Sequence, residues 1–365
     1  MPVGRLSSGR AVCSRLLLAV AAAAVAVPIV VLPSATPASA LAPTQYRVPG
    51  FTLGDGTGTD IPTQLTNFVY LPGDRILAIG KNGDVTQGQF GVEPWTTVNV
   101  SFSNPINSDV DRGLVGVDLA PDYASSGHLY LYYDYGGPEN PAPNCAPGET
   151  GAAINNVCGR LSRFTANNPS NPTALTNETP VLDHLPAFSA YGIGNDQSHT
   201  VGTVLVAPDG TLFVGNGDAS SFDPSVANRT YDPTSFFAQD VTSPRGKIFH
   251  INPDGSGVST NPFYQQGAPN SWQSRVYAYG LRNPFRFSLR PGTNTLYLGD
   301  VGSGSYEEID VAHGGENFGW PCYEGPLNYR NEFSGDQFCT NQYNQGTAGI
   351  VPPLVTYAHG PTNQN

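Results

Sequence analysis

The chain repeats one local pattern four times, a proline-containing turn followed by a short apolar run. The copies are "LPGDRILAIG" from Leu71, "APDYASSGHLYLYY" from Ala120, "APDGTLFVGNG" from Ala207 and "RPGTNTLYLGD" from Arg290. Proline presets φ at the second position of a turn, and the Gly or Asp that follows tolerates unusual φ values. Each copy therefore predicts a tight turn that leads into a β-strand.

The remaining apolar residues also favour strands. The 42 Gly and 33 Pro residues interrupt the chain often, and only 13% of residues are charged, which leaves little room for long helices. Short runs rich in aromatic and β-branched residues lie between Gly, Pro, Asn and Asp: "FVYL", "RILAIG", "LYLYY", "TVLVA", "TLFVG", "KIFHI" and "LYLG". This pattern predicts an all-β fold with many short strands.

The spacing of the four turns indicates a β-propeller. Pro72, Pro121, Pro208 and Pro291 are separated by 49, 87 and 83 residues. The two longer gaps are close to twice a period of about 40–45 residues, which predicts a further, degenerate unit inside each gap. A weak repeat of this length in an all-β chain is typical of a propeller with four strands per blade. A β-sandwich or jelly roll is the alternative, although neither requires the repeat.

The first forty residues have the pattern of an export signal. Arginines at positions 5, 10 and 15 precede an apolar run from Leu16 to Leu32, and Ala38 and Ala40 supply a small-residue cleavage site. This is the order of a secretory signal peptide; a membrane anchor is the alternative, because the run is near the shortest length that spans a bilayer. We expect residues 1–40 to be a signal peptide and residues 41–365 to be a secreted domain with no membrane span.

Charge and cysteine content narrow the class of protein. The net charge of −12 argues against nucleic acid as a partner and is compatible with binding of a hard cation through oxygen ligands. Four cysteines remain after Cys13 leaves with the signal peptide, and none has Cys-x-x-Cys spacing. Nearest-neighbour pairing, Cys145–Cys158 and Cys322–Cys339, is the simplest of three possible disulfide connectivities in an exported chain.

The sequence ends in "VPPLVTYAHGPTNQN", which runs from a short apolar stretch into a polar loop. An open propeller leaves an unpaired strand edge. We expect a ring that is incomplete at the C-terminus, with one or more blades missing.

Polar residues next to predicted strands are the candidates for chemistry. His199 precedes one strand in "NDQSHTVG", and Asp218 follows the next in "VGNGD". Arg282 and Asn283 lie in the otherwise apolar "YGLRNPFRFSL", where a charge needs a partner. Taken singly, each also fits a structural role, such as a turn residue or one member of a salt bridge. The acidic "GDVGSGSYEEID" fits either a solvated loop or a cation site built from carbonyls and a carboxylate.

Six segments, taken in series, point to a family. They are "DRGLVGVDLAPDYASSGHLYLYY", "SHTVGTVLVAPDGTLFVGNGD", "RGKIFHINPDGS", "VYAYGLRNPFRFSL", "LYLGDVGSGSYEEIDV" and "GGENFGWPCYEG". In this order, from about Gln64 to the C-terminus, they resemble the soluble quinoprotein glucose/sorbosone dehydrogenases. The resemblance implies a six-bladed propeller that holds pyrroloquinoline quinone (PQQ) and calcium at the mouth of the ring.

The resemblance also implies catalytic and cofactor residues. His199 matches the general base that takes the hydroxyl proton of the sugar, and Asp218 matches the carboxylate that orients its imidazole. Arg282 and Asn283 match residues that contact PQQ, where a guanidinium suits negative charge developing on a quinone oxygen.

For metal ions, the resemblance implies backbone as well as carboxylate ligands. Gly302 and Ser303 match positions whose carbonyls hold the cofactor's calcium, and Ser303 replaces an expected Pro or Gln. Glu308 matches a carboxylate that serves a second, structural calcium in some members, although Phe318 stands where those members have Tyr. The family's further basic residues for the cofactor come from later blades, and neither of the two lysines, Lys81 and Lys247, lies in such a position.

The sequence thus predicts a secreted, PQQ- and calcium-dependent sugar dehydrogenase that passes electrons to an acceptor of unspecified identity. Two alternatives remain open. One is a calcium-dependent lactonase on a similar propeller, in which the metal activates water. The other is a non-catalytic extracellular propeller that binds carbohydrate or protein, because fold alone does not fix function.

Overall fold

The computed structural model describes residues 62, 64–89, 92, 94–136, 157–187, 199–221 and 231–359, all within the unit Pro49–Asn365. The predicted signal peptide, residues 1–40, and Cys145 lie outside these residues. No helix in the described ranges combines the length and apolarity needed to cross a membrane.

Four sheets, antiparallel except for one short parallel pairing, follow one another along the described chain. The first comprises β1 (Leu65–Leu71), β2 (Arg75–Gly80), β3 (Val85–Gln89) and β4 (Thr96–Thr97). The second comprises β5 (Asn99–Val100), β6 (Leu114–Leu119), β7 (His128–Gly136), β8 (Val157–Ala166) and β9 (Ala174–Pro186), with β5 added parallel to β9. The third comprises β10 (Val201–Val206), β11 (Leu212–Asn216), β12 (Lys247–Ile251) and β13 (Val276–Tyr279). The fourth comprises β14 (Pro284–Leu289), β15 (Leu296–Asp300), β16 (Tyr306–Ala312) and β17 (Val355–Ala358).

Each proline turn occupies the same place in its sheet. Pro72 joins β1 to β2, Pro121 joins β6 to β7, Pro208 joins β10 to β11, and Pro291 joins β14 to β15. Consecutive turns therefore belong to consecutive sheets, and the prediction of a further repeat unit inside each long gap was wrong. The gaps are long because connections between strands are long, such as the one from Asn216 to Lys247.

The leading strands of the four sheets lie side by side. β6 packs against β1 and β10, and β10 packs against β14. Two glycines permit this approach: a Cβ atom would stand 2.9 Å from the Gly202 carbonyl oxygen at Gly116, and 3.1 Å from the Pro284 carbonyl oxygen at Gly202. At the same inner edge Arg286 Nη2 donates a 2.8 Å hydrogen bond to the Thr66 carbonyl, linking β14 to β1. The all-β, propeller-like arrangement is confirmed for these four sheets.

Apolar cores fill the spaces between neighbouring sheets. Leu77 and Phe164 belong to the core between the first and second sheets, and Leu161 and Phe249 to the core between the second and third. Ile248 and Leu298 belong to the core between the third and fourth sheets. These side chains are fully or almost fully buried. Burial of this apolar surface between neighbouring sheets stabilises the packing of one sheet on the next.

Helices are short and lie in the connections. Those in the described residues are α1 (Tyr123–Ser126), α2 (Trp272–Arg275), α3 (Gln337–Asn344) and two 3-10 helices, Pro233–Gln239 and Glu332–Gly335. The predicted Cys322–Cys339 disulfide is present, with its Cα atoms 5.1 Å apart, and anchors α3 to the segment before it. Cys158 is buried at the start of β8; its pairing with Cys145 stays a prediction.

Candidate active site

His199 and Asp218 face each other across the end of a β-hairpin. Val201 pairs with Asn216 at the end of the β10–β11 ladder. His199 lies two residues before Val201 and Asp218 two residues after Asn216, so the two continue the register of the ladder. The nineteen-residue spacing therefore brings the side chains together: His199 Nδ1 lies 2.9 Å from Asp218 Oδ1.

The backbone at this end of the hairpin is tightly constrained. His199 and Ala219 have φ of 58° and 52°, in the left-handed region that non-glycine residues rarely adopt. Ala219 N–H donates to the His199 carbonyl at 2.9 Å, and Gly217 N–H donates to the Thr200 carbonyl at 2.8 Å. A Cβ atom at residue 217 would stand 2.1 Å from the His199 carbonyl oxygen, so only glycine fits there.

Asp218 is a fully buried carboxylate that accepts several hydrogen bonds. Oδ1 accepts from the Ser220 N–H at 3.0 Å and the Ser220 hydroxyl at 2.9 Å, and Oδ2 accepts from Trp320 Nε1 at 2.8 Å. Burial alone would raise the pKa of Asp218, but the neighbouring His199 and Arg282 and these hydrogen bonds hold it below its ordinary value. Asp218 is therefore ionised at neutral pH.

The protonation of His199 follows from that of Asp218. Burial and the charge of Arg282 lower the pKa of His199, while Asp218 opposes the shift, so the imidazole is neutral at pH 7. Because an ionised carboxylate only accepts, Nδ1 carries the ring proton and Nε2 keeps a lone pair. No described residue hydrogen-bonds Nε2, and His199 lines a cavity of about 310 Å³. This arrangement can accept a proton from a ligand in the cavity.

Arg282 and Asn283 lie in the connection from β13 to β14. The Asp300 carboxylate accepts from both backbone N–H groups, at 2.9 Å from Arg282 and 2.6 Å from Asn283. Arg282 Nη1 reaches the Val301 and Gly302 carbonyls at 3.0 and 2.6 Å, and its guanidinium lies 5.4 Å from the centre of the Trp320 ring. Asn283 lines the cavity beside His199. Asp300 thus orients both candidate cofactor residues through their backbone.

The cavity is lined by both polar and apolar side chains. Thr66, Thr200 and Asn283 line it together with His199, and Val115 and Phe285 contribute apolar surface. Its volume is at the lower end of the range for small-molecule sites.

Two charged residues of this cavity were not assigned there from sequence. Lys81 and Asp111 both lie in its wall, and Lys81 also donates to the Val110 carbonyl. Lys247 is instead fully buried and donates to the Phe237 and Ala238 carbonyls at 3.1 and 2.9 Å, so its role is structural.

The predicted metal ligands fall in two neighbouring places. Gly302 and Ser303 begin a turn that we call the 302–306 loop, between β15 and β16. Its Gly302 carbonyl faces Arg282, as described above. Glu308 lies instead on β16, where it accepts from the Gly325 N–H.

Glu308 belongs to a cluster of buried carboxylates. One oxygen from each of Asp300, Glu308 and Asp310 lies within 4.8 Å of the others, and both Asp310 oxygens are buried with no hydrogen-bond partner among the described residues. Burial, together with its acidic neighbours, raises the pKa of Glu308 and of Asp310, and burial raises that of Asp300 to about 7. Three such groups require protons or a cation between them.

Comparison with known proteins identifies the family. The family model described as Glucose / Sorbosone dehydrogenase matches residues 61–362. The chain belongs to this family. The "HIPL2 protein" of Arabidopsis thaliana is 27% identical over 301 residues, covering 74% of this chain and 40% of that protein. "Aldose sugar dehydrogenase YliI" of Escherichia coli is 28% identical over 217 residues, covering 60% and 48%.

This glucose/sorbosone dehydrogenase family member therefore spans less than half the length of either relative. Among solved structures, the PQQ-bound aldose sugar dehydrogenase of Streptomyces coelicolor matches with a TM-score of 0.58 and 21% identity, over 83% of this chain and 70% of that one. That likeness supports the fold, in agreement with the four sheets described above.

The sequence did not predict that Trp320 and Lys81 lie at the site. Trp320 lies 102 residues from Asp218 in sequence, and Lys81 directly follows β2 of the first sheet. The one sequence signal was "GWP", a tryptophan among glycines in a segment already quoted for the family. Asp300 lies in the acidic segment already considered as a cation site, but its hydrogen bonds to the Arg282 and Asn283 N–H groups were not predicted. Nothing local predicted that Lys81 lies beside His199, because the residues lining the cavity come from different sheets.

Proposed function

We propose that this chain is a PQQ-dependent dehydrogenase that oxidises an aldose or a related sugar, with His199 as general base. The observation that carries the proposal is the buried His199–Asp218 pair beside a cavity, in which His199 Nε2 has no hydrogen-bond partner among the described residues. Membership of the glucose/sorbosone dehydrogenase family and the name of the E. coli relative support the substrate class.

The chain's own residues supply proton transfer and positioning. His199 Nε2 takes the proton of the sugar hydroxyl as the C–H electron pair leaves the same carbon, which becomes the carbonyl of the product. The ionised Asp218 stabilises the resulting imidazolium through Nδ1. Bound PQQ supplies the oxidant, a quinone that accepts a hydride.

The residues present fit an anionic quinone. The guanidinium of Arg282 and the amide of Asn283 are nearly buried, and the Asn283 side chain lines the cavity without a hydrogen bond to any described residue. A fixed cation and a free amide donor suit oxygen atoms on which negative charge develops. We assign Arg282 and Asn283 to PQQ.

The Gly302 and Ser303 carbonyls are hard oxygen ligands of the kind that calcium prefers. We assign the cofactor's calcium to them, where it would act as a Lewis acid on a quinone oxygen. We assign a second cation to Glu308, supported by the unpartnered Asp310 carboxylate and by Asp300 beside it.

We further propose export of the chain and a six-bladed ring of which the four described sheets form part. The Cys322–Cys339 disulfide favours an oxidising compartment. The leading strands β1, β6, β10 and β14 pack in succession, as neighbouring blades do.

Reduction of an artificial electron acceptor tests the function directly. Purified protein is incubated with PQQ and Ca²⁺, and an aldose is added with a dye. We expect dye reduction that depends on sugar, PQQ and Ca²⁺ together. Absence of dye reduction, with sugar also failing to bleach the absorbance of the bound quinone, would refute the proposal and favour a carbohydrate-binding propeller. Calcium-dependent lactone hydrolysis without PQQ would instead support a lactonase.

A further inference from the structure

We propose that Glu324 positions the 302–306 loop for calcium, by binding the loop's N–H groups so that its carbonyls face the metal. The inference rests on the proposed calcium role of Gly302 and Ser303. Glu324 contacts no substrate or cofactor atom in this scheme and acts only through the loop.

One carboxylate oxygen organises most of the loop. Glu324 Oε1 accepts hydrogen bonds from four consecutive backbone N–H groups, those of Ser303, Gly304, Ser305 and Tyr306, at 3.0, 3.2, 3.0 and 3.1 Å. The side chain is buried, and Oε2 has no partner among the described residues. Consecutive N–H groups that converge on one anion form a backbone nest, here filled by a carboxylate of the same chain.

The hydrogen bonds to Glu324 also fix the direction of the Gly302 and Ser303 carbonyls, because the peptide group is planar. In a planar trans peptide the N–H of one residue points opposite to the C=O of the preceding residue. The Ser303 and Gly304 N–H groups point at Glu324, so the Gly302 and Ser303 carbonyls point away from it. The 2.6 Å hydrogen bond from Arg282 Nη1 to the Gly302 oxygen agrees with this orientation. Two adjacent carbonyls are thereby presented on the side of the candidate cofactor residue.

The backbone at Gly302 is packed closely against Tyr306 and Glu324. A Cβ atom at Gly302 would stand 1.5 Å from the Tyr306 carbonyl oxygen and 2.9 Å from Glu324 Oε1. A carboxylate accepts these N–H groups more strongly than a neutral amide does. Glutamine would also place an NH₂ group in the buried position of Oε2. Replacement by glutamine therefore weakens the contact without changing the side chain's size.

Calcium affinity without PQQ provides the test. Calcium chloride is titrated by isothermal calorimetry into the unchanged protein and into Glu324→Gln, Glu324→Asp and Glu332→Gln. Glu332 is a matched control because its exposed carboxylate touches the same loop only through the Ser303 hydroxyl, at 2.6 Å. An Asp310→Asn variant reports calcium held by the neighbouring carboxylate cluster.

We expect Glu324→Gln to bind calcium at the loop at least tenfold more weakly, Glu324→Asp to recover part of the loss, and Glu332→Gln to stay within twofold. Circular dichroism and the thermal midpoint without calcium identify variants that do not fold; if Glu324→Gln does not, the comparison is made with Glu324→Asp, for which we expect a measurable loss of affinity. Equal calcium affinity in the unchanged protein and the folded Glu324 variants would overturn the positioning role alone. An unchanged protein that binds no calcium at the loop would overturn the calcium assignment as well.

Discussion

Trp320 Nε1 donates a 2.8 Å hydrogen bond to Asp218 Oδ2, the oxygen that His199 does not use. The two residues are 102 positions apart in sequence. Because the indole is also close to the Arg282 guanidinium, one side chain joins the candidate base pair to the candidate cofactor residue. The site is thus held by contacts between separate parts of the chain.

Replacement of Asp218 by asparagine tests the orienting role of the carboxylate. The amide leaves the shape intact but cannot stabilise an imidazolium, so we expect kcat to fall on the order of 10³–10⁴-fold. Sugar-dependent dye reduction measures the loss, and a PQQ titration is expected to show unchanged binding. Asp209→Asn, at the exposed turn of the same hairpin, is the matched control and retains full kcat; a similar loss in both variants would contradict the prediction.

If His199 is the general base, as proposed, the pH dependence of kcat/KM reports its pKa. Burial lowers that pKa below the ordinary value of 6.5, so activity is expected to fall with acidification only below pH 6.5. Trp320→Phe removes a donor that stabilises the Asp218 anion, which strengthens the pull of Asp218 on the imidazolium proton. We expect the acid limb of that variant to move to higher pH, by roughly half a unit to one unit. An acid limb above pH 6.5 in the unchanged protein would show that another group controls activity.

The buried carboxyl of Asp134, next to Thr200, is expected to make the stability of the protein depend on pH. It is fully buried and accepts from the Thr200 hydroxyl at 2.9 Å, and burial raises its pKa to about 7 despite the opposing charge of Arg112. A carboxyl whose folded pKa exceeds its unfolded value stabilises the fold at low pH, and this contribution is lost as pH rises from about 4 to 7. We expect Asp134→Asn to gain stability relative to the unchanged protein over that window, by about 4 kcal/mol. Urea unfolding at pH 4, 6 and 8 measures the difference, and a pH-independent difference would contradict it.

Two glycines of the 302–306 loop form a matched pair for calcium binding. A Cβ atom at Gly302 collides with the Tyr306 carbonyl oxygen at 1.5 Å, whereas one at Gly304 meets no atom within 4 Å. We expect Gly302→Ala to lower calcium affinity more than tenfold and Gly304→Ala to leave it within twofold, as measured by calorimetry. Equal affinities in the two variants would show that the loop's fold does not control the metal site.

Removal of the Cys322–Cys339 bridge by substitution tests how far it stabilises the segment that carries Trp320. The bridge closes a loop with a sequence separation of 17, and both cysteines pack in a cluster with Trp320. We expect Cys322→Ser with Cys339→Ser to cost about 3 kcal/mol of unfolding free energy. Thermal unfolding measures this loss, and a midpoint equal to that of the unchanged protein would contradict the prediction.

The sequence by itself determined the strands and the proline turns, because these depend on local residue types. It favoured the Cys322–Cys339 pairing as the simplest of three connectivities, and the structure confirmed that bridge. The resemblance to the family implied the His199–Asp218 contact, and the structure shows that the register of a single hairpin brings the two residues together.

Only the tertiary structure decided which sheets are consecutive. It also corrected the prediction of an extra repeat unit inside each long gap between proline turns, because long connections lengthen the gap without adding a sheet. It also decided the supporting contacts. Trp320, Asp300 and Glu324 act through hydrogen bonds to distant groups, several of them backbone N–H groups that every residue offers. A backbone donor leaves no signature in the sequence, and it becomes a binding group only when the fold directs it at an acceptor.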